Sequence, residues 1–364
     1  MPSSIVVNAR FLTQPITGTQ RFAIELCRGL KQLRPDITLL APDRIIHKDI
    51  AEELNVQVVG RMRKGILWEQ LELPLLLNRL GNPLLLNFCN LAPIMYRNNV
   101  VSVLDLSFKL HPEWFSRRFS LLYNFFIPRE VAGAKRIITI SENTKQDIAQ
   151  HYGVPLTKID IVYPSVSSIF LEPPAQKLPN KYGSYILAVS SIDPRKNFAG
   201  LIEAFKAGNF GETKLLIVGS EHKVFADNRI KELVAGDPRV VFTGYVSDTD
   251  LVGLYQNAQV FAYPSFFEGF GIPPLEAMAC GCPTLVSNTT SLPEVCGDAS
   301  VYVDPHKIES ITNGLTTILN DAALRKSLIE KGYQRLPLFD LNKSVIKLMD
   351  VIKEVSSPNS TVLS

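Results

Sequence analysis

The chain has 364 residues, 46% of them hydrophobic and 20% charged, which is ample for a buried core and indicates two domains rather than one. Its 38 Lys and Arg residues against 35 Asp and Glu residues give a net charge of +3. That balance argues against nucleic acid as the main partner.

No apolar run in the sequence reaches the length of about 18–20 residues that a membrane-spanning helix needs. The N-terminal residues lack the basic segment and apolar core of a secretory signal, so we expect a cytoplasmic protein. Five cysteines without a CxxC pair predict reduced thiols. Cys280 and Cys282 have no nearby histidine, and we expect a helix end and a turn there rather than a zinc site.

Short β-branched runs alternate with helix-period segments, such as the stretch from Thr19 to Leu33. Near-continuous apolar strands separated by helices predict two Rossmann-like, doubly wound α/β domains with parallel sheets. The predicted strands are SIVVNAR, ITLLAPD, VQVVGR, PLLLNF, NVVSVLDLS, RIITISE and IDIVYPS in the first half, then SYILAVSSI, KLLIVGS, RVVFTGY, AQVFAYPS, PTLVSN and SVYVD.

Residues 167–183 contain three prolines and have neither strand nor helix periodicity, so this segment is predicted to link the two sheets. We therefore expect an N-terminal domain over residues 1–166 and a C-terminal domain over residues 184–337. Two such domains that face each other leave a central cleft at the carboxyl ends of their strands, where ligands of open α/β sheets bind.

The end of the chain carries one more helical segment, predicted over residues 338–357, with an amphipathic pattern from Leu341 to Val355. The last residues, 358–364, are predicted to be disordered.

The stretch YPSFFEGFGIPPLEAMACGCP has the pattern of a strand, a glycine loop and a helix start. Pro273 and Pro274 suit the first turn of a helix, and Gly269 and Gly271 allow close approach of a ligand to the backbone around Phe270. Free N–H groups and the helix dipole at such a site favour an anion. The pattern predicts a phosphate-binding cradle.

Two glutamates flank this cradle. Glu276 is expected in the first helical turn, where it can reach a ribose, and Glu268 is expected in the loop, nearer to a sugar beyond the phosphates. Taken singly, a first-turn glutamate often serves the helix dipole and a Gly-Phe-Gly loop often merely turns. Their combination in one loop favours a functional site.

A second site is predicted in SSIDPRKN, at the end of the strand SYILAVSSI. Arg195 and Lys196 come just before a helix that is expected to begin near Asn197, and two cations at such a place suit a diphosphate. The alternative is a solvated charge pair on a turn.

Asp248-Thr249-Asp250 has the D-x-D form that many metal-dependent transferases use. We interpret Asp248 as a helix N-cap and Asp250 as a first-turn acid, and we expect no metal site.

The segment EGFGIPPLEAMACGCPTLVSNTTSLPEVCGDA resembles the signature of glycosyltransferase family 4, and the spacing from Glu268 to Glu276 is that family's E-x7-E motif. The similarity extends through YILAVSSIDPRKNFAGLIEAF, VVFTGYVSDTDLVGLY, IITISENTKQDIAQHYGV and Gly18-Thr19. It implies the GT-B fold, with the last helix packed on the N-terminal domain. It also implies retaining, metal-independent transfer, without a cofactor, from a nucleotide-diphosphate sugar.

The resemblance implies a role for each matching residue. Lys196 and Arg195 would neutralise the donor diphosphate, Glu268 and the amides from Gly269 to Gly271 would hold the sugar and phosphate, and Glu276 would bind the ribose. The backbone at Gly244 and Tyr245 would lie by the base, and Gly18 would approach the phosphates.

Two positions depart from the family pattern. Leu104 stands beside Asp105 where many relatives have histidine, so that no histidine role near the acceptor carries over, and Asp105 is left as the acceptor-side candidate. Ser191 replaces an arginine of many relatives, which removes one phosphate contact. The PRKN form is similar to bacterial mannosyltransferases of surface polysaccharide assembly (O-antigen, capsule and exopolysaccharide), whose acceptors are lipid-linked saccharides or glycans.

The stretch HPEWFSRRFSLLYNFFIPREVAGAKR places two aromatic and aliphatic stripes on one helix, with Arg118 between them. The stripes are Phe115, Phe119, Leu122 and Phe126, and Trp114, Leu121 and Phe125. A second basic and aromatic segment runs from Arg61 to Trp68. Both predict contact with the inner face of an anionic membrane, and the alternative is a helix buried on two sides.

Two classes of function follow from the sequence. The first is a hexosyltransferase. The second is a GT-B protein that binds a sugar nucleotide or a partner enzyme without turnover, an alternative that rests on Leu104 and Ser191. A phosphorylase or epimerase on the same fold is a further enzymatic alternative. The sequence identifies neither the sugar, nor the base, nor the acceptor, nor the oligomeric state.

Overall fold

The structure is a computed structural model that describes residues 5–62, 65–89, 91–174, 178–191, 193–219 and 228–357. The chain forms two compact units. Unit 1 comprises Met1–Ser165 with Asp340–Ser364, and unit 2 comprises Val166–Phe339. The predicted disordered tail, 358–364, lies outside the described residues, as do Arg63 and Lys64 of the second basic segment.

Unit 1 is built on a seven-stranded parallel sheet of order β3-β2-β1-β4-β5-β6-β7. The central strands are buried on both faces, which explains their near-continuous apolar sequences. The strands are β1 Ile5–Asn8, β2 Thr38–Ala41, β3 Val56–Val58, β4 Leu84–Asn87, β5 Asn99–Ser102, β6 Arg136–Thr139 and β7 Ile159–Ile161.

Helices connect these strands and cover the sheet. The first, α1, begins with a capping box in which Thr17 and Gln20 satisfy each other's backbone N–H groups. The helices of unit 1 are α1 Gly18–Leu33, α2 Lys48–Glu53, α3 Gly65–Leu67, α4 Leu73–Arg79, α5 Ser107–Leu110, α6 Arg117–Gly133 and α7 Glu142–Tyr152, and a π-helical turn, Trp68–Glu72, joins α3 to α4.

The end of the chain returns to unit 1. Its last helix, Leu341–Ser356, packs against α1 so closely that a Cβ on Gly29 would lie 2.3 Å from the side chain of Val345. Ser344 Oγ also donates a hydrogen bond of 2.7 Å to the carbonyl of Tyr163. The residues just before this helix, Leu336–Phe339, form a 3-10 turn that belongs to unit 2.

Unit 2 has a six-stranded parallel sheet of order β10-β9-β8-β11-β12-β13. All thirteen strands predicted from the sequence therefore lie in the two parallel sheets, and the predicted α/β fold class is confirmed. The strands of unit 2 are β8 Tyr185–Val189, β9 Lys214–Val218, β10 Val240–Gly244, β11 Val260–Tyr263, β12 Thr284–Ser287 and β13 Ser300–Val303.

The helices of unit 2 cover its sheet and bury an aliphatic core against it. In chain order they are α8 Ser168–Leu171, α9 Phe198–Ala207, α10 Asn228–Val234, α11 Asp248–Asn257, α12 Ile272–Ala279, α13 Leu292–Cys296, α14 Ile308–Asn320 and α15 Ala322–Arg335. The helix of unit 1 that returns to α1 is then α16, Leu341–Ser356.

The segment predicted as a linker, 167–183, is instead attached to unit 2 where it is described. Phe170 is buried and lies edge-on to Tyr255, with ring centroids 6.1 Å apart. Asn257 Nδ2 donates to the carbonyl of Leu178 at 2.9 Å. The sequence did not predict these contacts, because prolines interrupt helix and strand periodicity but do not prevent packing.

Candidate active site

The loops that follow β8 and β11 carry most of the predicted site residues and are tied together. Asn197 ends the 3-10 turn Pro194–Lys196 in a left-handed conformation, φ 57°, which asparagine tolerates well. Its Nδ2 donates to the carbonyls of Pro264 (3.0 Å) and Pro305 (2.8 Å). The amide of Phe266 donates to the carbonyl of Arg195 at 2.8 Å. These bonds hold the two loops in register.

Lys196 and Glu268 form a buried ion pair between these loops, with the two residues 8% and 5% exposed. Lys196 Nζ lies 2.6 Å from Oε1 and 2.9 Å from Oε2 of Glu268, and 2.8 Å from the hydroxyl oxygen of Tyr263. An ammonium has three N–H donors, so these three oxygens match its full capacity. The sequence indicated the lysine and the glutamate separately, but neither their pairing nor Tyr263.

Burial and the charge of the partner have opposite effects on the pKa of each member of this pair. Burial lowers the pKa of Lys196 below its usual value, and the attraction of Glu268 offsets only part of that change. Burial alone would raise the pKa of Glu268, but the attraction of Lys196 and Arg195 outweighs it, and the pKa of the carboxyl lies below its usual value. Glu268 is therefore a carboxylate, and Lys196 gives up its proton more readily than an exposed lysine.

The glycine loop, defined here as residues 265–271, leads from β11 into α12. Gly271 is the N-cap of α12 at φ 117°, and a Cβ there would lie 2.7 Å from the side chain of Leu292, so glycine is required on both grounds. Pro273 and Pro274 lie in the first turn of α12 and have no N–H to donate. Of the helix N–H groups expected in the cradle, those of positions 273 and 274 are therefore missing, and that of Ile272 comes directly after the N-cap.

Glu276 lies in the second turn of α12, not in the first as predicted, because the helix begins at Ile272. Its side chain is buried, and the hydroxyl of Tyr255 donates to its Oε2 at 3.2 Å. Burial, reinforced by Glu276, raises the pKa of Tyr255 well above its usual value, so the phenol keeps its proton. This places the two motif glutamates in different settings, one paired with an ammonium and one with a phenol.

The other predicted donor residues of unit 2 lie at strand ends. Ser191 is exposed just after β8, and Gly244 ends β10 with φ 73°. Tyr245, next to it, is exposed. They follow the carboxyl ends of parallel strands in the sheet that also carries Lys196 and Glu268.

Two predicted residues belong to unit 1. Gly18 is the first residue of α1, and a Cβ on it would have no heavy atom within 4 Å. Asp105 Oδ1 accepts hydrogen bonds from the amide (2.9 Å) and the hydroxyl (2.5 Å) of Ser107, at the start of α5. Leu104 is buried.

The D-x-D sequence begins α11. The N-cap is Ser247, one residue before the predicted Asp248, and its Oγ accepts from the amide of Asp250 at 3.1 Å. Asp248 and Asp250 both lie in the first turn, where acids complement the helix dipole.

The two predicted stripes have different environments, and their first residues lie outside α6: Trp114 ends a 3-10 turn, and Phe115 follows it before α6 begins at Arg117. Phe115, Phe119, Leu122 and Phe126 pack against the core of unit 1, as expected for a buried helix. In the second stripe, Leu121 is 73% and Phe125 48% exposed. Trp68 of the second basic segment is fully buried, so its predicted surface role is wrong. Among the described helices, none is long and apolar enough to cross a bilayer.

Two units, each built on a parallel sheet with helices, have the architecture of the GT-B class of glycosyltransferases, and a buried cation, two carboxylates and a glycine loop lie at strand ends of the second unit. Residues 16–168 match the family model described as Glycosyltransferase Family 4, and residues 172–335 match the one described as Glycosyl transferases group 1. The chain belongs to glycosyltransferase family 4, as the C-terminal motif predicts.

Curated relatives and a solved structure agree with this assignment. The O-antigen chain mannosyltransferase B of Escherichia coli is 34% identical over 60% of this chain and 61% of that protein. The O-antigen chain mannosyltransferase RfbU of Salmonella typhimurium is 27% identical over 88% of this chain and 93% of that protein. The chain thus spans less than two thirds of the first relative and nearly all of the second. A glycosyltransferase from Rickettsia africae has the same fold, with TM-score 0.74, 17% identity, and 98% and 99% of the two chains covered.

Proposed function

We propose that this protein is a hexosyltransferase, with mannose as the favoured sugar, that acts in the synthesis of a bacterial surface polysaccharide. The donor is a nucleotide-diphosphate sugar and the acceptor a lipid-linked saccharide or glycan. The observation that carries the proposal is the buried Lys196–Glu268 pair beside the glycine loop. The similarity to two O-antigen mannosyltransferases supports the sugar and the process.

The diphosphate binds where unit 2 offers fixed positive charge. Arg195, whose side chain is 22% exposed, and the amides of residues 269–272 supply the first contacts. Lys196 already donates to Glu268 and Tyr263, so it reaches the phosphate only by exchanging one of these bonds. The new bond from Lys196 to the phosphate is strongest when negative charge grows on the departing phosphate oxygen, so the exchange is most favourable at that stage.

Transfer proceeds with retention and without a metal ion in this proposal. As the bond to the anomeric carbon breaks, positive charge builds on the sugar ring, close to the carboxylate of Glu268. The acceptor hydroxyl attacks on the face that the diphosphate leaves, and a departing phosphate oxygen takes its proton. Arg195 and Lys196 supply the charge stabilisation, and no side chain acts as a dedicated base.

A part of the surface of α6 supports peripheral contact with an anionic membrane. Leu121 and Phe125 are exposed on it, and the guanidinium of Arg129 lies 3.8 Å from the ring centroid of Phe125. Exposed apolar side chains next to exposed Arg117 and Arg118 suit the headgroup region of a bilayer. A membrane-bound enzyme would meet a lipid-linked acceptor directly.

A thermal-shift screen of the whole protein with UDP-, GDP-, dTDP- and ADP-sugars tests the donor site. A ligand that binds the folded state at about 100 times its Kd stabilises it by about 2.7 kcal/mol, which is a shift of a few degrees for a protein of this size. We expect one nucleotide to raise the Tm, and Glu276→Gln to weaken that response. No shift with any of them would contradict a donor site.

A further inference from the structure

A second segment, residues 287–291, begins at the last residue of β12 and is bonded to the backbone of the glycine loop through hydroxyl groups. Three of its side chains donate to carbonyls along residues 265–270. The bonds are Ser287 Oγ to Ser265 (2.5 Å), Thr289 Oγ1 to Phe266 (3.3 Å), and Ser291 Oγ to Glu268 (2.9 Å) and Phe270 (2.7 Å), which share its one proton. We call residues 287–291 the support loop.

Thr290 differs from these three residues because its hydroxyl accepts a hydrogen bond from the glycine loop. Its Oγ1 accepts from the amide of Glu268 at 3.1 Å. The backbone of Glu268 is therefore held on both sides, its N–H by Thr290 and its carbonyl by Ser291. Since the carboxylate of the same residue binds Lys196, any shift of this backbone also shifts the ion pair.

Thr290 also has a strained backbone. Its φ is 53°, in the left-handed region that β-branched residues strongly avoid. The other described non-glycine residues with positive φ are three asparagines and an arginine, so that Thr290 is the β-branched one among them. Such strain persists where the surrounding structure enforces it, and it is concentrated at functional sites. Glycine would relieve the strain at this position, but it would remove the hydroxyl.

We propose that Thr290 is a positioning residue for sugar transfer, whose hydroxyl fixes the backbone of Glu268 so that its carboxylate is aligned with Lys196 and with the donor sugar. This inference rests on the proposed function and adds to it a residue outside the E-x7-E motif. The strain of the left-handed threonine is tolerated because the hydroxyl it presents is needed at this place.

The variants Thr290→Gly and Thr290→Ser distinguish the effect of the strained backbone from the effect of the hydroxyl. Thr290→Gly removes the strain and the acceptor together, so the protein should unfold at the same temperature as the wild type or higher. Its kcat should fall about tenfold or more, with donor KM changed much less, because misplacing a reacting group acts on the chemical step. Thr290→Ser keeps the hydroxyl and should restore most of the rate. Asn82→Gly, which relaxes another positive φ (62°) in unit 1, serves as the control.

Hydrogen exchange by mass spectrometry on the same proteins gives a readout besides activity. The peptide that contains Glu268 should exchange faster in Thr290→Gly than in the wild type, Thr290→Ser or Asn82→Gly. A stable Thr290→Gly protein with wild-type kcat would overturn the inference, and so would unchanged exchange of that peptide. If the wild type turned over no sugar nucleotide, the proposed function would fail by itself, and the exchange comparison would still decide whether Thr290 holds Glu268.

Discussion

Lys196 and Glu268 are 72 residues apart in the sequence, yet the ammonium of one lies 2.6 Å from the carboxylate of the other in the interior of unit 2. A buried pair of this kind depends on both members, because removing one leaves the other charge without compensation. The alternative of a solvated charge pair on a turn is therefore wrong for Lys196, which is buried. The same contact links the stability of the site to its chemistry.

Replacing Lys196 by alanine should destabilise the protein. Loss of one partner of a buried ion pair typically costs about 3–5 kcal/mol. In Lys196→Ala with Glu268→Gln, the total loss should be smaller than the sum of the single losses by about 1 kcal/mol or more, since the uncompensated carboxylate is gone. Urea unfolding of the four proteins measures this, with Lys326→Ala, an exposed lysine of the same unit, as the control. Additive losses would show that the two groups do not pair in solution.

The transfer rate should depend on pH through the same pair. Because burial lowers the pKa of Lys196 from 10.5, the ammonium loses its proton, and the rate falls, at a pH where exposed lysines are still charged. The pKa of Glu268 lies below its usual value, so its carboxylate form persists into the acid range. Arginine stays charged throughout, so Lys196→Arg should move the alkaline fall upward. Profiles of kcat/KM against pH with the same alkaline limb in both proteins would exclude Lys196 as its source.

The two motif glutamates should affect different kinetic constants. Glu276 is proposed to hold the ribose equally in the ground and transition states, so Glu276→Gln should mainly raise donor KM. Glu268 lies where charge develops, so Glu268→Gln should mainly lower kcat. Tyr255→Phe removes the hydrogen bond to Glu276 and should raise KM by a smaller factor. The reverse pattern would mean that the two carboxylates serve opposite ends of the donor.

Catalysis should survive chelation of divalent cations. The proposed stabilisation of the leaving diphosphate comes from Arg195, Lys196 and the loop amides, while Asp248 and Asp250 lie in the first turn of α11. Transfer rates with and without excess EDTA measure this requirement. Activity that EDTA abolishes and magnesium or manganese restores would show that the reaction uses a metal.

The exposed stripe of α6 should support reversible binding to anionic liposomes. Leu121→Ser with Phe125→Ser should reduce co-sedimentation without lowering the Tm, because both side chains are exposed. Leu338→Ser, which changes a 49% exposed leucine of unit 2, is the matched control. Binding should rise with the fraction of anionic lipid and fall with salt. Equal sedimentation of the variant and the wild type would show that this surface does not bind the membrane.

Local sequence patterns were sufficient for the strands and for the helix after the glycine loop, because burial on both faces and proline punctuation leave signals within a few residues. They could not predict the pairing of Lys196 with Glu268 and Tyr263, which depends on the neighbouring positions of β8 and β11 in the sheet. The left-handed backbone of Thr290 could not be predicted either, because a run of hydroxyl residues gives no signal of a positive φ. The assignment of Glu276 to the first turn was wrong by one residue, because α12 begins at Ile272, directly after its N-cap Gly271.

The most direct test of the central claim is release of nucleotide diphosphate from a sugar nucleotide by the purified wild type and by Glu268→Gln, with and without a lipid-linked saccharide acceptor. We expect acceptor-dependent release from one donor by the wild type, a loss of about a hundredfold or more in Glu268→Gln, and retained donor binding in that variant. Donor binding without release by the wild type, or undiminished release by Glu268→Gln, would contradict a transferase site built on Lys196 and Glu268.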